Sequence, residues 1–315
     1  MATKIAVVGL GKIAHDQHLP AIAANPDWEL AATVSLSGEV PGVENFQLLP
    51  ELLAARPDIE VVSLCVPPAP RFEMAVAALM AGRHLMLEKP PGATLSECLI
   101  LQDLAGSQGV SMFATWHSRE ARQVDLARDW LADKRMEHFE IIWREDVRRW
   151  HPGQEWIWEP AGMGVFDPGI NALSILTKIL PEPVRVLNAR LSYPENRQTP
   201  IAVDMAMQTV SGAGGKVNFD WRQEGEQIWE IRINTDQGLL ELKAGGAQLF
   251  IDGMQHGEDG QDVALDGEYP RLYRRMYQLQ LQGASDVDLR PHQLVADALM
   301  LGSRVLVEPF EFQKN

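Results

Sequence analysis

The chain has 315 residues, 46% of them hydrophobic and 23% charged, with a formal charge of −15 and an isoelectric point near 5.0. That length supports a large core and about two domains, and the acidic balance excludes a partner held by neutralising nucleic-acid phosphates. No apolar run approaches the ~18 residues of a membrane span.

The first strand is expected from Lys4, which leaves no leader segment ahead of it. Cys65 and Cys98 are too few and too far apart for a disulfide framework or a metal site, so a reducing, cytoplasmic setting and no bound metal are expected. From Lys4 to about Thr115 the chain alternates apolar strands, near 4–8, 29–34, 60–66, 84–88 and 110–115, with helices near 19–25, 48–55, 70–82 and 94–107. This rhythm predicts an α/β domain, a doubly wound parallel sheet of the Rossmann kind over residues 1–118. Runs such as Val61-Val62-Ser63-Leu64-Cys65-Val66 are continuous rather than alternating, as strands covered by helices on both faces must be.

The first strand empties into Gly9-Leu10-Gly11-Lys12-Ile13-Ala14, the G-x-G-x-x-A form of the dinucleotide fingerprint, with Pro20 expected in the first turn of the following helix. Backbone N–H groups and the helix dipole can then meet a pyrophosphate, which makes Gly9, Gly11, Lys12 and Ile13 candidate cofactor contacts. Ligands of such sheets bind at the carboxyl ends of the strands, so Ser35 and Ser37, Pro67, Glu88 and Lys89, and Trp116-His117 are expected on the same rim. The tip of the second strand, Ser35-Leu36-Ser37, has no carboxylate to repel a 2′-phosphate and no arginine immediately after it to embrace one, so NAD and NADP both remain open. Lys89 lies between an acid and a proline at the end of an apolar strand, an unusual place for an ordinary surface charge.

Residues 119–315 are expected to form a second, α+β domain with a large, mostly antiparallel sheet. A helix to about Leu131 precedes a strand at 139–143, and further strands are expected near 184–192, 202–210, 215–221, 227–235 and 238–243. An amphipathic helix over 291–307 could pack back against the first domain. Four of the nine tryptophans, Trp143, Trp150, Trp156 and Trp158, fall within sixteen residues. Trp143, on an apolar strand, fits core packing. Trp150, beside His151 and close to Glu145, fits an indole laid against the C–H face of a sugar, and Trp229 is a further candidate. Asp167-Pro168-Gly169-Ile170-Asn171 opens a helix; Asp167 could simply cap it, but Asn171, four residues on, points to roughly the same side and suggests a site.

With the G-x-G-x-x-A turn, Glu88-Lys89-Pro90 and the Asp167 to Asn171 helix start in this order, the chain resembles the glucose-fructose oxidoreductase/inositol dehydrogenase family over essentially its whole length. Residues 11–21, 145–154, 156–160 and 165–174 are similar to its bacterial D-galactose and L-arabinose 1-dehydrogenase branch. The resemblance implies NAD(P)-dependent oxidation of the C1 hydroxyl of D-galactose or L-arabinose, and of D-fucose, to the lactone. It also implies an open-faced second-domain sheet that joins copies into a homodimer or a higher homo-oligomer.

Many members carry His where this chain has Asn171; an amide hydrogen-bonds but does not titrate, so Asn171 is expected to hold the sugar. Proton removal then falls to Lys89, Asp167 or both, while Lys89, His117, Glu145, Trp150, His151 and Trp229 are expected to line the sugar beside Asp167 and Asn171. A bound nicotinamide cation disfavours the ammonium form of a nearby lysine, and an adjacent carboxylate opposes that effect. The competing readings are a polyol dehydrogenase of the inositol type, which should keep the histidine, and an NAD(P)-bound sugar sensor that turns nothing over.

Overall fold

The computed structural model describes residues 2–257 and 267–312. The chain divides into two compact units, Met1–His117 with Gly267–Leu289, and Ser118–Asp266 with Arg290–Asn315.

In the first unit β1 (Thr3–Val8), α1 (Leu19–Ala23), β2 (Trp28–Val34), β3 (Glu44–Phe46), α2 (Leu49–Ala55), β4 (Val61–Leu64), α3 (Pro68–Met80), β5 (His84–Glu88), α4 (Leu95–Gln108) and β6 (Met112–Thr115) follow in turn. The strands form one sheet in the order β3-β2-β1-β4-β5-β6, every pair parallel. The order reverses between β1 and β4, and that switch point is where a doubly wound sheet binds its ligand. The continuous apolar strands are buried, Val61, Val62, Leu64, Leu85, Met86 and Leu87 completely, because helices cover the sheet.

One helix departs from expectation. The chain turns helical directly after Gly11 and runs through a π-helical stretch at Ala14–His18 into α1, where Pro20 stands in the first turn as expected although the helical path begins well before it. Proline cannot donate to the carbonyl four residues back and crowds it, and a wider π turn just before it relieves that conflict. The helix N-terminus is thereby brought right up to the glycine turn.

The second unit contains α5 (Val124–Leu131), β7 (Met136–Arg144), the short α6 (Val147–Trp150), α7 (Phe166–Ile179) and the strands β8 (Val184–Pro194), β9 (Ala202–Thr209), β10 (Gly214–Asp220), β11 (Ile228–Thr235), β12 (Gly238–Lys243), β13 (Gln248–Ile251) and β14 (Met254–His256). The chain then returns to the first unit as α8 (Glu268–Gln282) and finishes in the second with α9 (Arg290–Leu301) and β15 (Gly302–Val307). The nine-stranded sheet runs β14-β13-β12-β11-β7-β10-β9-β8-β15, antiparallel except at β7/β10 and β8/β15.

The helix expected over 291–307 therefore stops at Leu301, belongs to the second unit and packs there on α7 and β8. Residues 302–307 instead supply the partner that the outer edge of β8 would otherwise lack. The first unit itself includes α8.

Candidate active site

The first unit presents a dinucleotide cradle. Gly9 has φ +91°, and a Cβ there would lie 2.8 Å from Val66 Cγ1 and 3.1 Å from the Val66 nitrogen, so the turn out of β1 and into the helix requires glycine. Gly11 is exposed, with open space where a side chain would stand. Lys12 is exposed and paired with Asp16, and Ile13 is half-buried. At the tip of β2 the Ser35 hydroxyl donates to the Ser37 carbonyl (2.8 Å) and accepts from the Ser37 N–H (3.2 Å), which fixes a tight polar turn. Pro67 is exposed beyond the end of β4. A glycine-only approach followed at once by a helix N-terminus, with no acid at positions 35–38, suits a dinucleotide with or without a 2′-phosphate.

Lys89 follows β5 and is half-buried, and its bond to Pro90 is cis. Its surroundings include two features that sequence reasoning missed. Arg71, on α3 and only 2% exposed, donates to the carbonyls of Val66, Glu88 and Pro90 and so clamps the turn carrying Lys89. An arginine inside the apolar sequence of α3 was the available signal.

The second feature lies around Glu88, whose carboxylate points into the unit. Its Oε1 meets His18 Nε2 at 3.0 Å and accepts from Tyr269 (2.9 Å) and Thr115 (3.1 Å), while Oε2 accepts from the Lys89 N–H (3.2 Å). Burial would raise the Glu88 pKa, but the hydrogen bond and charge of His18, with His117 and Tyr269, bring it down to about 2. For His18, burial opposes the charged ring, but Cys65, Tyr273 and Glu88 outweigh it and hold the pKa well above the usual histidine range. The pair is therefore ionised, with the other imidazole nitrogen 2.7 Å from the Tyr273 hydroxyl. The Glu88 side chain is committed to this network and fixes the start of the turn that carries Lys89. His117, buried after β6, has Nδ1 2.7 Å from Glu268 and its ring stacked on Tyr269 at 5.8 Å.

The second unit gathers most of the expected sugar contacts. α7 begins at Phe166 after Val165, and no side chain caps it; Asp167 is its second residue, not its cap. Gly169 allows the close approach of α7 to the sheet, because a Cβ there would lie 2.5 Å from the Phe219 ring on β10. Asp167 is 5% exposed and faces His151, Oδ2 to Nε2 at 3.3 Å. Asn171 is half-buried, and among the described residues its side-chain amide makes no hydrogen bond.

Glu145, at the end of β7, is 6% exposed and accepts from two indoles, Trp221 (3.3 Å) and Trp229 (3.0 Å). Trp150 closes α6, which Asp146 caps, and is half-buried. It donates to Gln227 (3.2 Å) and lies 5.5 Å from the Trp229 ring, and Trp229 in turn lies 6.3 Å from buried Trp143. The Arg149 guanidinium lies over the Trp150 ring at 5.1 Å, so the indoles form a packed group with their N–H groups engaged. Trp221, Gln227 and Gln154 were not foreseen; they reach the cluster only through strand pairing and loop closure. Among the described residues no group of three or more His, Cys, Asp or Glu could hold a metal, and no helix is long and apolar enough to cross a membrane.

Residues 3–115 match the oxidoreductase family with an NAD-binding Rossmann fold, Gfo/Idh/MocA. The chain is 44% identical over 308 residues to galactose 1-dehydrogenase of Pseudomonas fluorescens, covering 98% of each. It belongs to the Gfo/Idh/MocA family of oxidoreductases. The crystal structure of a D-galactose-1-dehydrogenase protein from Rhizobium etli is 50% identical, with a TM-score of 0.93 and 98% of each chain covered. A 3-ketoreductase from Actinomadura kijaniata, solved with NADP, has a TM-score of 0.84 over 98% of this chain and all of its own, but its 18% identity establishes likeness of fold alone. The two-part architecture and the nicotinamide dinucleotide cradle are those of this family.

Proposed function

We propose that the protein is an NAD(P)-dependent aldose 1-dehydrogenase that oxidises the C1 hydroxyl of D-galactose, L-arabinose or D-fucose to the lactone. The observation carrying this reading is the cluster of Asp167, Asn171, His151, Glu145, Trp150 and Trp229 in the second unit, on a chain 44% identical throughout to a galactose 1-dehydrogenase. Indole faces suit the C–H faces of a pyranose, and a buried carboxylate and an amide suit its hydroxyls.

When bound, NAD(P)⁺ accepts the hydride from C1. Gly9, Gly11, Lys12, Ile13, Ser35, Ser37, Pro67, Glu88 and Lys89 are the residues proposed to hold it. Lys89 and Asp167 take the C1 hydroxyl proton, Asn171 orients the sugar, and His117, Glu145, Trp150, His151 and Trp229 line it. Asn171, in place of the histidine of many relatives, favours this branch over the inositol type. The second-unit sheet is proposed to join copies into a homo-oligomer, and the two buried cysteines, not bonded to each other, fit a cytoplasmic enzyme.

The test is purified protein with NAD⁺ or NADP⁺ and a panel of D-galactose, L-arabinose, D-fucose, D-glucose, D-xylose and myo-inositol, followed by reduced-nicotinamide absorbance. Turnover of the first three is expected. Turnover of inositol alone moves the protein to the polyol branch, and no turnover of any member favours a sensor. The same assay ranks NAD against NADP.

A further inference from the structure

The tip of β2 is pinned on both of its edges, and on the outer one by a side chain that the proposed function does not use. On the inner edge the Gly9 N–H donates to the Val34 carbonyl (2.9 Å), which ties the glycine turn to the last residue of β2. On the outer edge stands β3, three residues long and last in the sheet, with Thr33 opposite Asn45 and Val34 opposite Phe46. The Ser35 N–H donates to the Phe46 carbonyl (3.0 Å), and the Phe46 ring packs against the core. Asn45 then bridges two residues of the β2 edge. Its Oδ1 lies 2.8 Å from the Thr33 hydroxyl and its Nδ2 lies 3.2 Å from the Ser35 carbonyl oxygen.

The orientation of this amide follows from its partners. A backbone carbonyl can only accept, so the NH₂ group faces Ser35 and the amide oxygen faces Thr33. A hydroxyl can donate or accept, and Thr33 accordingly donates. Thr33 is fully buried, and among the described residues its hydroxyl has no other partner, so Asn45 satisfies it while being held by it. Ser35 carries the connection onward, because its hydroxyl donates to the Ser37 carbonyl and accepts from the Ser37 N–H. A line of hydrogen bonds thus runs from a buried hydroxyl in β2, through Asn45, to the exposed turn where a sheet of this kind meets the adenosine ribose.

We infer that Asn45, held by Thr33, is a positioning residue for the adenosine half of the cofactor: it fixes the Ser35 carbonyl and with it the Ser35–Ser37 turn before the dinucleotide arrives. A turn ordered in advance loses less freedom on binding, which appears as affinity. The inference rests on the proposed placing of the ribose at Ser35 and Ser37 and on no step of the sugar chemistry.

Binding to the whole protein tests it without turnover. NADH or NADPH, whichever binds tighter, is titrated by its fluorescence, and ADP-ribose, which carries the adenosine half without nicotinamide, by calorimetry. In N45A both Kd values should rise together by about three- to tenfold, the worth of one hydrogen bond. T33V should raise them by a smaller factor, and T33V/N45A should bind no more weakly than N45A, because Thr33 acts through Asn45. In turnover, N45A should raise cofactor KM while kcat at saturating cofactor and sugar KM stay within about twofold.

Unchanged Kd values in N45A overturn the inference, as do losses in T33V and N45A that multiply in the double variant. A sugar KM that rises in step with the Kd of ADP-ribose marks general loosening and overturns it too. S37W, which sets an indole on the turn, reports whether the ribose lies there. If S37W weakens ADP-ribose and N45A does not, the role of Asn45 alone falls. If S37W leaves ADP-ribose binding intact, the placing of the ribose falls and the inference with it. Absence of sugar turnover in the parent protein defeats the proposed function and leaves the Kd values to decide the role of Asn45.

Discussion

At the scale of single residues, the proposed chemistry falls on Lys89 after β5 and on the residues around α7. Lys89→Met removes the amine and keeps the length of the side chain. Turnover is expected to fall by about 10²–10⁴-fold, with NADH binding by fluorescence within a small factor of the parent; substantial residual turnover would take Lys89 out of the mechanism. Trp150→Leu should raise sugar KM by about fivefold, the equivalent of ~1 kcal/mol, with kcat nearly unchanged. Equal loss of kcat and kcat/KM would instead place Trp150 in the chemical step. The structure also changes what these residues mean. Glu88 seemed in sequence to crowd Lys89 with negative charge, but its carboxylate is turned inward and balanced by His18. Asp167, expected to share the sugar site with His151, has that imidazole directly against it.

At the scale of elements, two glycines decide whether helices reach their places. Gly9→Ala puts a side chain on Val66 in a backbone region that costs an L-residue about 1–2 kcal/mol before any clash. NADH affinity should drop by about tenfold or more, measured by titration of cofactor fluorescence at unchanged protein fold. Gly169→Ala drives a methyl into the Phe219 ring. Such overpacking costs about 1–3 kcal/mol and should lower Tm in a thermal melt, with Phe219→Leu in the same chain recovering part of the loss. A G169A protein with unchanged Tm would show that the α7 approach to β10 is looser than the structure has it.

Several elements were readable from the periodicity of the chain, and among those that were not, three share a cause. β13, β14 and β15 are short, and each exists because a neighbouring strand offers an edge. The apolar spacing of Leu294, Ala298, Leu301 and Val305 continues past the point where the helix gives way to a strand, since period alone cannot register the edge of β8. The π turn at Ala14–His18 leaves no periodic trace either, although Pro20 marks the place where a regular helix would be in difficulty.

At the scale of the whole molecule, the first unit is discontinuous in sequence: the chain leaves it after His117 and returns with α8. The His18–Glu88 pair and its two tyrosines tie the helix after the glycine turn, β5 and α8 into one buried network. Its pH dependence has a definite sign. Glu88 has a depressed folded-state pKa, so its stabilisation is fully present above the usual value of 4.5 and is lost as pH falls through about 2. His18 has a raised one, so its contribution is full below its usual 6.5 and is lost only as pH rises through the higher folded value. Tm should therefore hold between about 4.5 and 6.5, decline from 4.5 toward pH 2 as Glu88 protonates, and decline above 6.5 as the His18 contribution is lost. Glu88→Gln should flatten the acid decline while lowering Tm at neutral pH, and an unchanged acid slope in that variant would remove Glu88 as its source.

The sequence by itself determined the β-α-β rhythm, the glycine turn, the lysine after β5 and the polar helix start at Asp167, because each is written in neighbouring residues and needs no distant partner. Only the tertiary structure decided that Glu88 faces inward to His18, that Arg71 clamps the lysine turn, that α8 is part of the first unit, and that His151 meets Asp167. Those arrangements depend on which buried donors and acceptors find one another across the fold. A buried charge or amide must be satisfied by whatever the packing brings within reach.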